Sequence, residues 1–229
     1  MVQLKSAKIS GPIHIYNNWS AAKAVGICTG NGTYSQPYLI KDLVIEGGGS
    51  RSCILIETSN VHFIILNCTV FNSGGPQNFL HAGIYLSFVS NGQLINNSCY
   101  SNTNGILLAT RYTDNSVTGN YVANNDVGID TFFECTSNIF SFNYIVNNNE
   151  GISIDSINND ILNNIAINNG VGISITYCSA NNIRKNICNE NIHGVNIIES
   201  DSNTISGNNA SFNTHSGIRL SVSYWNTIS

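Results

Sequence analysis

Two carboxylates in the middle of the chain, Asp130 and Asp155, have the type and spacing needed for acid–base chemistry. Asp130 stands two residues after Gly128, and Asp155 stands four residues after Gly151, in two copies of the same short phrase. If these phrases are strands on neighbouring coils, about 6.8 Å along the strand and about 4.8 Å between coils place the two backbones roughly 8 Å apart. This separation suits inverting hydrolysis of a glycosidic bond, in which one acid protonates the leaving oxygen and the other carboxylate activates water. The alternative interpretation is that both acids are solvated and keep a flat face soluble.

More acids surround this pair. Glu134, Glu199 and Asp201 belong to the adjacent turn, and residues 126 to 201 contain nine acids against two bases. An acidic strip can hold Ca²⁺, but no dense Asp-x-Asp cluster occurs, so we predict no metal site and no cofactor. The scarcity of basic residues argues against anionic substrates such as pectate or alginate, because a uronate needs positively charged partners.

Aromatic residues recur near the same turn and predict contact with carbohydrate. Sugar rings pack on exposed aromatic faces while polar side chains bind their hydroxyl groups. The aromatic residues at this turn are Phe88, Tyr112, Phe132, Phe133, Tyr177 and Tyr224. The candidate carbohydrate-binding residues are Tyr85, Phe132, Phe133, Tyr177, Asn196 and Glu199. The competing interpretation is that some of these rings close a corner of the core.

Histidines and cysteines show no spacing typical of a metal or catalytic site. Three histidines stand shortly before glycines, and only the last two fall on neighbouring coils: His81, His193 and His215. The seven cysteines have no metal-ligand spacing. Cys28 and Cys53 flank the first coil and can form a disulfide, whereas Cys99 and Cys188 are suited to be small core residues.

All these candidate residues are positioned by a repeat. Seven glycines recur at intervals of 21 to 23 residues, and each opens a Gly-Ile-x-Leu-like phrase: Gly83, Gly105, Gly128, Gly151, Gly172, Gly194 and Gly217. A fixed period in this range indicates a solenoid. Apolar residues alternate within each phrase, which is the period of a strand with one buried face. Three short strands per coil of about 22 residues predict a parallel β-helix, and the frequent Gly and Asn exclude a helical repeat.

Three apolar columns assign the inward-pointing residues. The first column starts at Ile84 and ends at Leu220. The second contains Leu94, Val117, Ile139, Ile161, Ile183 and Ile205. The third contains Cys99, Val122, Ile145, Ala166, Cys188 and Ala210. Asparagines at two positions of each repeat, typified by Asn115 and Asn120, are expected at corners, because Asn tolerates a left-handed backbone and can bond to the Asn of the next coil.

The ends of the chain lack the regular repeat. We predict an N-terminal cap segment over residues 1–38, with a short helix over 20–25 that begins at Asn18 or Ser20. The parallel β-helix is predicted over residues 39–229, with a protruding corner loop over 73–80. The sequence stops at Ser229 halfway through a coil, with no polar cap. We therefore expect a truncated C-terminal end or end-to-end association with another chain.

The composition limits the classes of partner. The net charge is −4 and only nine basic residues are present, which excludes a nucleic-acid-binding surface. No apolar run approaches the length of a membrane span. The N-terminus carries no signal-type apolar stretch, but five glycosylation sequons favour a location outside the cell. They begin at Asn18, Asn31, Asn67, Asn96 and Asn209.

The repeat units carry a resemblance to a known group. Units such as Gly194-Val-Asn-Ile-Ile-Glu-Ser-Asp-Ser-Asn-Thr-Ile-Ser-Gly-Asn208 resemble those of right-handed parallel β-helix proteins of the NosD-like and carbohydrate-binding/sugar-hydrolase (CASH) group. The opening from Gly32 to Gly47 looks like the first coil of archaeal surface proteins of this type. The resemblance implies a secreted or cell-surface location and contact with polysaccharide, and named members assist copper loading of nitrous oxide reductase. Here Met1 is the only methionine and no Cys or His pair has ligand spacing, so these residues do not predict a copper role.

Taken with the resemblance, the repeat predicts an all-β, single-stranded right-handed parallel β-helix with three strands per coil. We expect a non-catalytic extracellular or surface module that binds carbohydrate or is structural. A glycoside hydrolase that uses Asp130 and Asp155 is one alternative, and a NosD-like accessory protein is another. The expected partner is a polysaccharide or a cell-envelope glycan, without nucleic acid, cofactor or membrane span.

Overall fold

The chain forms short strands that wind around one long core. The computed structural model describes residues 8–74, 80–110 and 113–229. The first half of these residues contains β1 (Lys8–Ser10), β2 (Ile13–Tyr16), α1 (Trp19–Ala24), β3 (Tyr38–Lys41), β4 (Leu43–Glu46), β5 (Ile54–Ser59), β6 (Phe63–Leu66), β7 (Thr69–Phe71), β8 (Ala82–Val89), β9 (Gly92–Ile95), β10 (Ser98–Tyr100) and β11 (Asn104–Ala109). The second half contains β12 (Ser116–Thr118), β13 (Tyr121–Ala123), β14 (Val127–Phe132), β15 (Ile139–Ser141), β16 (Tyr144–Val146), β17 (Glu150–Ile154), β18 (Asp160–Leu162), β19 (Ile165–Ile167), β20 (Val171–Thr176), β21 (Asn182–Arg184), β22 (His193–Ile198), β23 (Thr204–Ser206), β24 (Ser216–Ser221) and β25 (Thr227–Ile228).

These strands form three parallel sheets, one for each side of the coil. Sheet A has the order β1-β4-β7-β10-β13-β16-β19, and sheet B has the order β2-β5-β8-β11-β14-β17-β20-β22-β24. Sheet C has the order β3-β6-β9-β12-β15-β18-β21-β23-β25. Each strand pairs in parallel with the equivalent strand one coil away, as β11 does with β14 and β14 with β17. The predicted all-β parallel β-helix with three strands per coil is confirmed.

The core consists of aliphatic columns that run the length of the solenoid. In sheet B, Ile106, Ile129, Ile152 and Ile173 occupy equivalent positions on successive coils and are fully buried. Burying one such side chain contributes about 1.5–3 kcal/mol of transfer free energy. The first and third predicted columns are therefore correct along most of their length. Leu220 is 38% exposed, because β24 is the last strand of sheet B and has a neighbouring coil on one side only.

The second predicted column contains one error of register. Phe140, and not Ile139, pairs with Val117 on one coil and with Ile161 on the next. Phe140 is fully buried, whereas Ile139 is 42% exposed. The inward residue is the second one after the corner asparagine, here Asn138, and the prediction took the first.

Asparagines fill the inside of all three corners of the coil. Each asparagine of a row donates its side-chain N–H to the Oδ1 of the asparagine on the next coil. The rows are 115–138–159–181–203–226, 97–120–143–164–186–208 and 102–125–148–169–191–213; in the step from Asn191 to Asn213 it is the main-chain N–H that donates. The third row was not anticipated from the sequence. These asparagines do not carry the left-handed backbone; the residue before each one does, as Asn163 (φ 55°) does before Asn164.

The repeated glycine is required by close packing between coils. A Cβ added at Gly128 would lie 2.5 Å from the carbonyl oxygen of Gly151, and one at Gly151 would lie 2.4 Å from that of Gly172. Real Cβ atoms do not approach backbone atoms so closely. The side chain is therefore excluded where sheet B begins, and this accounts for the glycine that opens every phrase.

The helix α1 covers the first coil. Trp19 stacks on Tyr38 with ring centroids 4.9 Å apart and also contacts Phe63, and its Nε1 donates to Ser59 Oγ at 2.8 Å. The short predicted helix is thus present, with Asn18 at the N-cap position. Strands β1 and β2 lie within the segment 1–38 and already pair with β4 and β5, and the domain boundary at 38 remains a prediction. Among the described residues, no helix has the length and hydrophobicity of a membrane span.

All seven cysteines are buried, and each keeps its thiol. The disulfide considered between Cys28 and Cys53 is not formed. Cys28 Sγ faces the carbonyl oxygen of Trp19, whereas Cys53 Sγ donates to the carbonyl oxygen of Phe71 at 3.2 Å. Residues 1–7 and 75–79, which include most of the predicted corner loop, and Tyr112 lie outside the described residues.

Candidate functional site

One continuous row of side chains follows the outer face of sheet B. The residues pair in register from coil to coil, and we call them the outer row: Tyr85, Leu107, Asp130, Ser153, Ser174, Asn196 and Arg219. They point outward because their neighbours along each strand, such as Ile129 and Thr131, are buried in the core. The row changes from apolar to acidic, then to small and polar, and ends with a cation.

Asp130 is the acidic member of the outer row. Burial, together with the nearby charges of Asp155 and Glu150, raises the pKa of the Asp130 carboxyl to about 7, while hydrogen bonding to Ser153 opposes the shift. At neutral pH the group is therefore poised between its protonated and ionised forms. A carboxyl group in this state can act as a general acid.

Asp155 stands immediately after β17 and is held in place by hydrogen bonds. Its Oδ1 accepts from Ser156 Oγ at 3.0 Å, and its main-chain N–H donates to Thr131 Oγ1 at 3.2 Å. Burial also raises the pKa of Asp155, while hydrogen bonds from Ser156, Phe133 and Thr131 lower it. The carboxylate is thus fixed in orientation rather than free in solvent.

The strand register brings Asp130 and Asp155 onto neighbouring coils. Asp130 is opposite Ser153, which lies two residues before Asp155. This is the register from which a backbone separation of roughly 8 Å follows. The charge of Asp155 contributes to the raised pKa of Asp130, so the two groups interact electrostatically. Their catalytic role remains a prediction.

Glu150 is a third carboxylate beside this pair, and sequence reasoning missed it. It stands directly before Gly151 and is partly buried, and this burial raises its pKa. It lines a cleft of about 470 Å³ with Asp126 and His193. The sequence did contain a signal for Glu150. It is an acid at the position before the repeated glycine, where the neighbouring coils have Val127 and Val171.

A second cleft lies at the corner that follows sheet B. Its volume is about 690 Å³, and it is lined by Thr113, Glu134, Thr136, Asp155, Ser156, Ile157 and Tyr177. We call it the corner cleft. The Tyr177 side chain is 72% exposed. The cleft therefore combines a fixed carboxylate, hydroxyl groups and an exposed aromatic ring.

The aromatic corner has an unusual backbone. Phe133, Glu134 and Tyr177 all have a positive φ, between 53° and 58°. Large side chains rarely adopt this left-handed conformation. Here it turns the rings outward: Phe133 is 59% exposed and packs edge-on against Phe132. Phe88 and Tyr224, also predicted at this corner, are exposed as well.

The remaining candidate residues lie at different distances from the corner cleft. Tyr85 lines a separate cleft of about 560 Å³ with His14 and Arg51, and the buried Leu107 separates it from Asp130. The structure therefore does not bring Tyr85 together with the acids. Glu199 is exposed on the coil after Tyr177, also with a positive φ. Asn196 lies in the outer row of the same coil and is only 6% exposed.

Sheet A carries aromatic residues that the sequence analysis did not identify. Tyr121 stacks on Tyr144 with ring centroids 5.8 Å apart, and Phe71 stacks on Tyr100 at 5.3 Å. Tyr121 and Tyr144 are 46% and 38% exposed. The sequence did indicate them, because neighbouring repeats have aromatic residues at equivalent positions. These aromatic residues lie on a different face of the solenoid from the acids.

Donors for a metal ion are dispersed. Among residues 8–74, 80–110 and 113–229, no group of three or more His, Cys, Asp or Glu side chains could hold a metal ion. His193 and His215 form a pair with ring centroids 5.5 Å apart. Burial raises the pKa of Cys53 and of Cys188 to about 12, so these thiols stay protonated and are poor ligands.

Solved structures share the fold at low sequence identity. The periplasmic alginate epimerase AlgG is 16% identical, with a TM-score of 0.62 over 83% of this chain and 50% of that one. Pectate lyase Pel9A is 15% identical, with a TM-score of 0.59 over 98% of this chain and 78% of that one. The A-module of the Azotobacter vinelandii mannuronan C-5 epimerase AlgE4 is 13% identical, with a TM-score of 0.57 over 83% and 65%. The chain spans about half the length of the AlgG structures, and likeness at this identity establishes the right-handed parallel β-helix fold alone.

The family comparison covers almost the whole chain. No curated protein matches the sequence significantly. The model of the NosD family, described as periplasmic copper-binding protein (NosD), matches residues 10–159 and 149–229. These ranges include the corner cleft, the outer row and all the repeated glycines. The chain therefore belongs to the NosD family of parallel β-helix proteins.

Proposed function

We propose that this chain binds a neutral polysaccharide at the corner cleft beside sheet B. The observation that carries the proposal is the pairing of the exposed Tyr177 ring with the fixed carboxylate of Asp155 in one cleft. Aromatic rings contact the apolar faces of sugars, and carboxylates accept hydrogen bonds from sugar hydroxyl groups. Phe132 and Phe133 extend the aromatic surface at the same corner.

The charge of the cleft favours a neutral ligand. Asp155 lines it, and Asp130 lies on the coil next to that of Asp155, whereas the described residues that line it include no lysine or arginine. Like charges repel, so a polyuronate would be disfavoured. A neutral glycan meets no such penalty and can satisfy the acceptors with its hydroxyl protons.

The description of the family as copper-binding is not matched by the donors in this chain. Copper sites use cysteine, methionine and histidine ligands. In the described ranges the thiols are buried, the histidines offer one pair, and no metal-holding cluster of His, Cys, Asp and Glu occurs. The proposed function therefore does not involve copper. We also propose a location outside the cytoplasm, which agrees with the periplasmic description of the family. End-to-end association of chains is part of the same proposal.

The test is retention on polysaccharide, compared between two exposed tyrosines. Affinity electrophoresis through neutral glycans and through alginate should show retardation by at least one neutral glycan and none by alginate. Tyr177→Ala should abolish the retardation, and Tyr121→Ala, which removes an exposed tyrosine from sheet A, should preserve it. Equal loss in both variants, or no loss in Tyr177→Ala, would place binding elsewhere. Absence of retention by any glycan would favour a purely structural role.

A second candidate function, glycoside hydrolysis, is favoured by the pKa of Asp130. A carboxyl with a pKa of about 7 beside a second carboxylate is the arrangement in which one group donates a proton and the other activates water. Purified protein would be incubated with neutral polysaccharides and new reducing ends measured. Activity should fall as the pH rises above about 7 and should be lost in Asp130→Asn and Asp155→Asn. Absence of new reducing ends with a glycan that is retained would leave binding alone.

A further inference from the structure

We propose that Asn196, with Ser174 and Arg219 on either side of it, forms a second sugar-hydroxyl subsite on the outer face of sheet B. The three residues are directly paired in register on three successive coils. This inference rests on the proposed function and deepens it, because it extends the glycan path beyond the corner cleft. It also defines the ligand chemistry at the far end of that path.

The starting observation is an amide without a partner. Asn196 lies on the outer face, since Val195 and Ile197 on either side of it are fully buried in the core. Nevertheless it is only 6% exposed, and its Oδ1 is buried with no hydrogen-bond partner among the described residues. Buried polar atoms are nearly always paired, so an orphaned acceptor calls for an explanation.

The asparagines of the corner rows make this observation sharper. Asn164, which is fully buried, accepts from Asn143 and donates to both Asn186 and the carbonyl oxygen of Phe140. Asn196 makes no comparable bond within the protein. Its amide therefore does not serve the packing of the coils, and a ligand atom is the partner that it lacks.

The chemistry of Asn196 and Arg219 selects a ligand with hydroxyl groups. Asn196 Oδ1 can only accept a hydrogen bond, so the ligand atom must carry a proton. Arg219 is exposed on the next coil and can only donate, so it binds a neighbouring ligand oxygen. One sugar hydroxyl that donates to Asn196 beside another that accepts from Arg219 satisfies both. A carboxylate has no proton for Oδ1 and would be repelled by it.

The position of the subsite implies a ligand of several sugars. Thr176, the residue before Tyr177, pairs with Ile198 on the coil that carries Asn196, so Tyr177 is one coil from Asn196 and two from Arg219. At about 4.8 Å per coil the path from Tyr177 to Arg219 advances roughly 10 Å along the axis. Tyr177 also stands three residues beyond Ser174, the residue opposite Asn196, which adds roughly 10 Å along the strand, so a single sugar bound at Tyr177 does not reach the amide. Because Arg219 is exposed, its side chain can rotate to admit the ligand without losing core packing.

The experiment combines stability and affinity in the same variants. Asn196→Leu replaces an unpaired amide by an apolar side chain of similar size, so the Tm should rise by about 2–4 °C. Calorimetric titration with neutral oligosaccharides of increasing length should show about a tenfold loss of affinity for the long ligands. Affinity for a disaccharide should be unchanged. Arg219→Ala, which removes an exposed side chain, should weaken only the long ligands and leave the Tm unchanged.

Three outcomes would overturn the inference. A lower Tm in Asn196→Leu would show that the amide supports the fold, for example through an ordered water. Unchanged affinity for long ligands in both variants, with binding still lost in Tyr177→Ala, would remove the subsite and leave the proposed function intact. No binding of any oligosaccharide by the parent protein would overturn the proposed function and the subsite together.

Discussion

Asn164 and Asn186 are joined twice across the gap between two coils. The side-chain Nδ2 of Asn164 donates to Asn186 Oδ1 at 3.0 Å, and the main-chain N–H of Asn164 donates to the same oxygen at 2.9 Å. One side chain thus satisfies two donors inside a corner that water does not reach. The same pair of hydrogen bonds recurs in each corner of the coil, for example between Asn138 and Asn159. It pairs polar groups that the bends of a solenoid would otherwise bury unpaired.

The first prediction concerns this corner bond. Asn164→Ala should lower the free energy of unfolding by about 3 kcal/mol, because it leaves the buried N–H groups of Asn143 without their acceptor. Asn163→Gly is the matched control: Asn163 has φ 55°, which glycine adopts freely, so the change should be within about 0.5 kcal/mol. Urea unfolding followed by circular dichroism measures both. Similar values for the two variants would contradict the assignment of separate roles.

The second prediction concerns the repeated glycine. Gly128→Ala should cost about 1–3 kcal/mol or prevent folding, because its Cβ would lie 2.5 Å from the carbonyl oxygen of Gly151. Gly11→Ala, where no atom lies within 4 Å of the added Cβ, should be nearly neutral. Thermal unfolding of both variants provides the comparison. A stable Gly128→Ala protein would show that the coils can separate at this point.

The third prediction tests the corrected register of sheet C. Phe140→Ala should cost about 3–5 kcal/mol, since it removes a fully buried ring, whereas Ile139→Ala should cost less than about 1 kcal/mol. The two residues are adjacent in the chain, so the pair controls for any effect on the strand itself. Denaturant unfolding gives both values. The opposite order would restore the register that places Ile139 inside.

The fourth prediction concerns pH. The pKa of Asp130 is about 7 in the folded protein, above its ordinary value of 3.8, so the folded state holds its proton more tightly. The stability from this proton is fully present below the ordinary pKa and is lost as the pH rises through about 7. Asp130→Asn should therefore gain stability relative to the parent, on the order of 2 kcal/mol at about pH 8 after allowance for solvent screening, and little at low pH.

Thermal melts of both proteins across the pH range measure this difference. The shifts of Glu150 and Asp155 have the same sign, so part of the loss of parent stability with rising pH should persist in the variant. A parent protein that becomes more stable as the pH rises from about 5 to 8 would contradict the raised pKa values.

Much of the fold was readable from the sequence because the repeat imposes one geometry on every coil. The Gly-Ile-x-Leu period predicted which residues share a column, and buried residues such as Ile152 and Ile173 followed directly. The register at Phe140 was missed because Ile139 and Phe140 are adjacent and both apolar, although the spacing from Asn138 marks Phe140 as the inward residue. The helix α1 was predicted as part of a cap segment, but its contacts were not, since the contact of Trp19 with Tyr38 and Phe63 joins segments far apart in the chain.

By itself the sequence determined the solenoid and the neighbouring coils of Asp130 and Asp155, because periodicity alone sets position along the axis. Only the tertiary structure decided the burial, the pKa and the hydrogen bonding of each side chain. The pKa of Asp130 depends on Glu150, which no pattern had singled out, and on burial by coils that precede and follow it. Asn196 Oδ1 has no hydrogen-bond partner among the described residues, while the side chain of Asn164 is fully hydrogen-bonded, although both are asparagines of the repeated units. Burial, electrostatic interaction and hydrogen bonding depend on the residues that surround a side chain in space. The repeat predicts which residues are neighbours, but it does not determine how closely they pack.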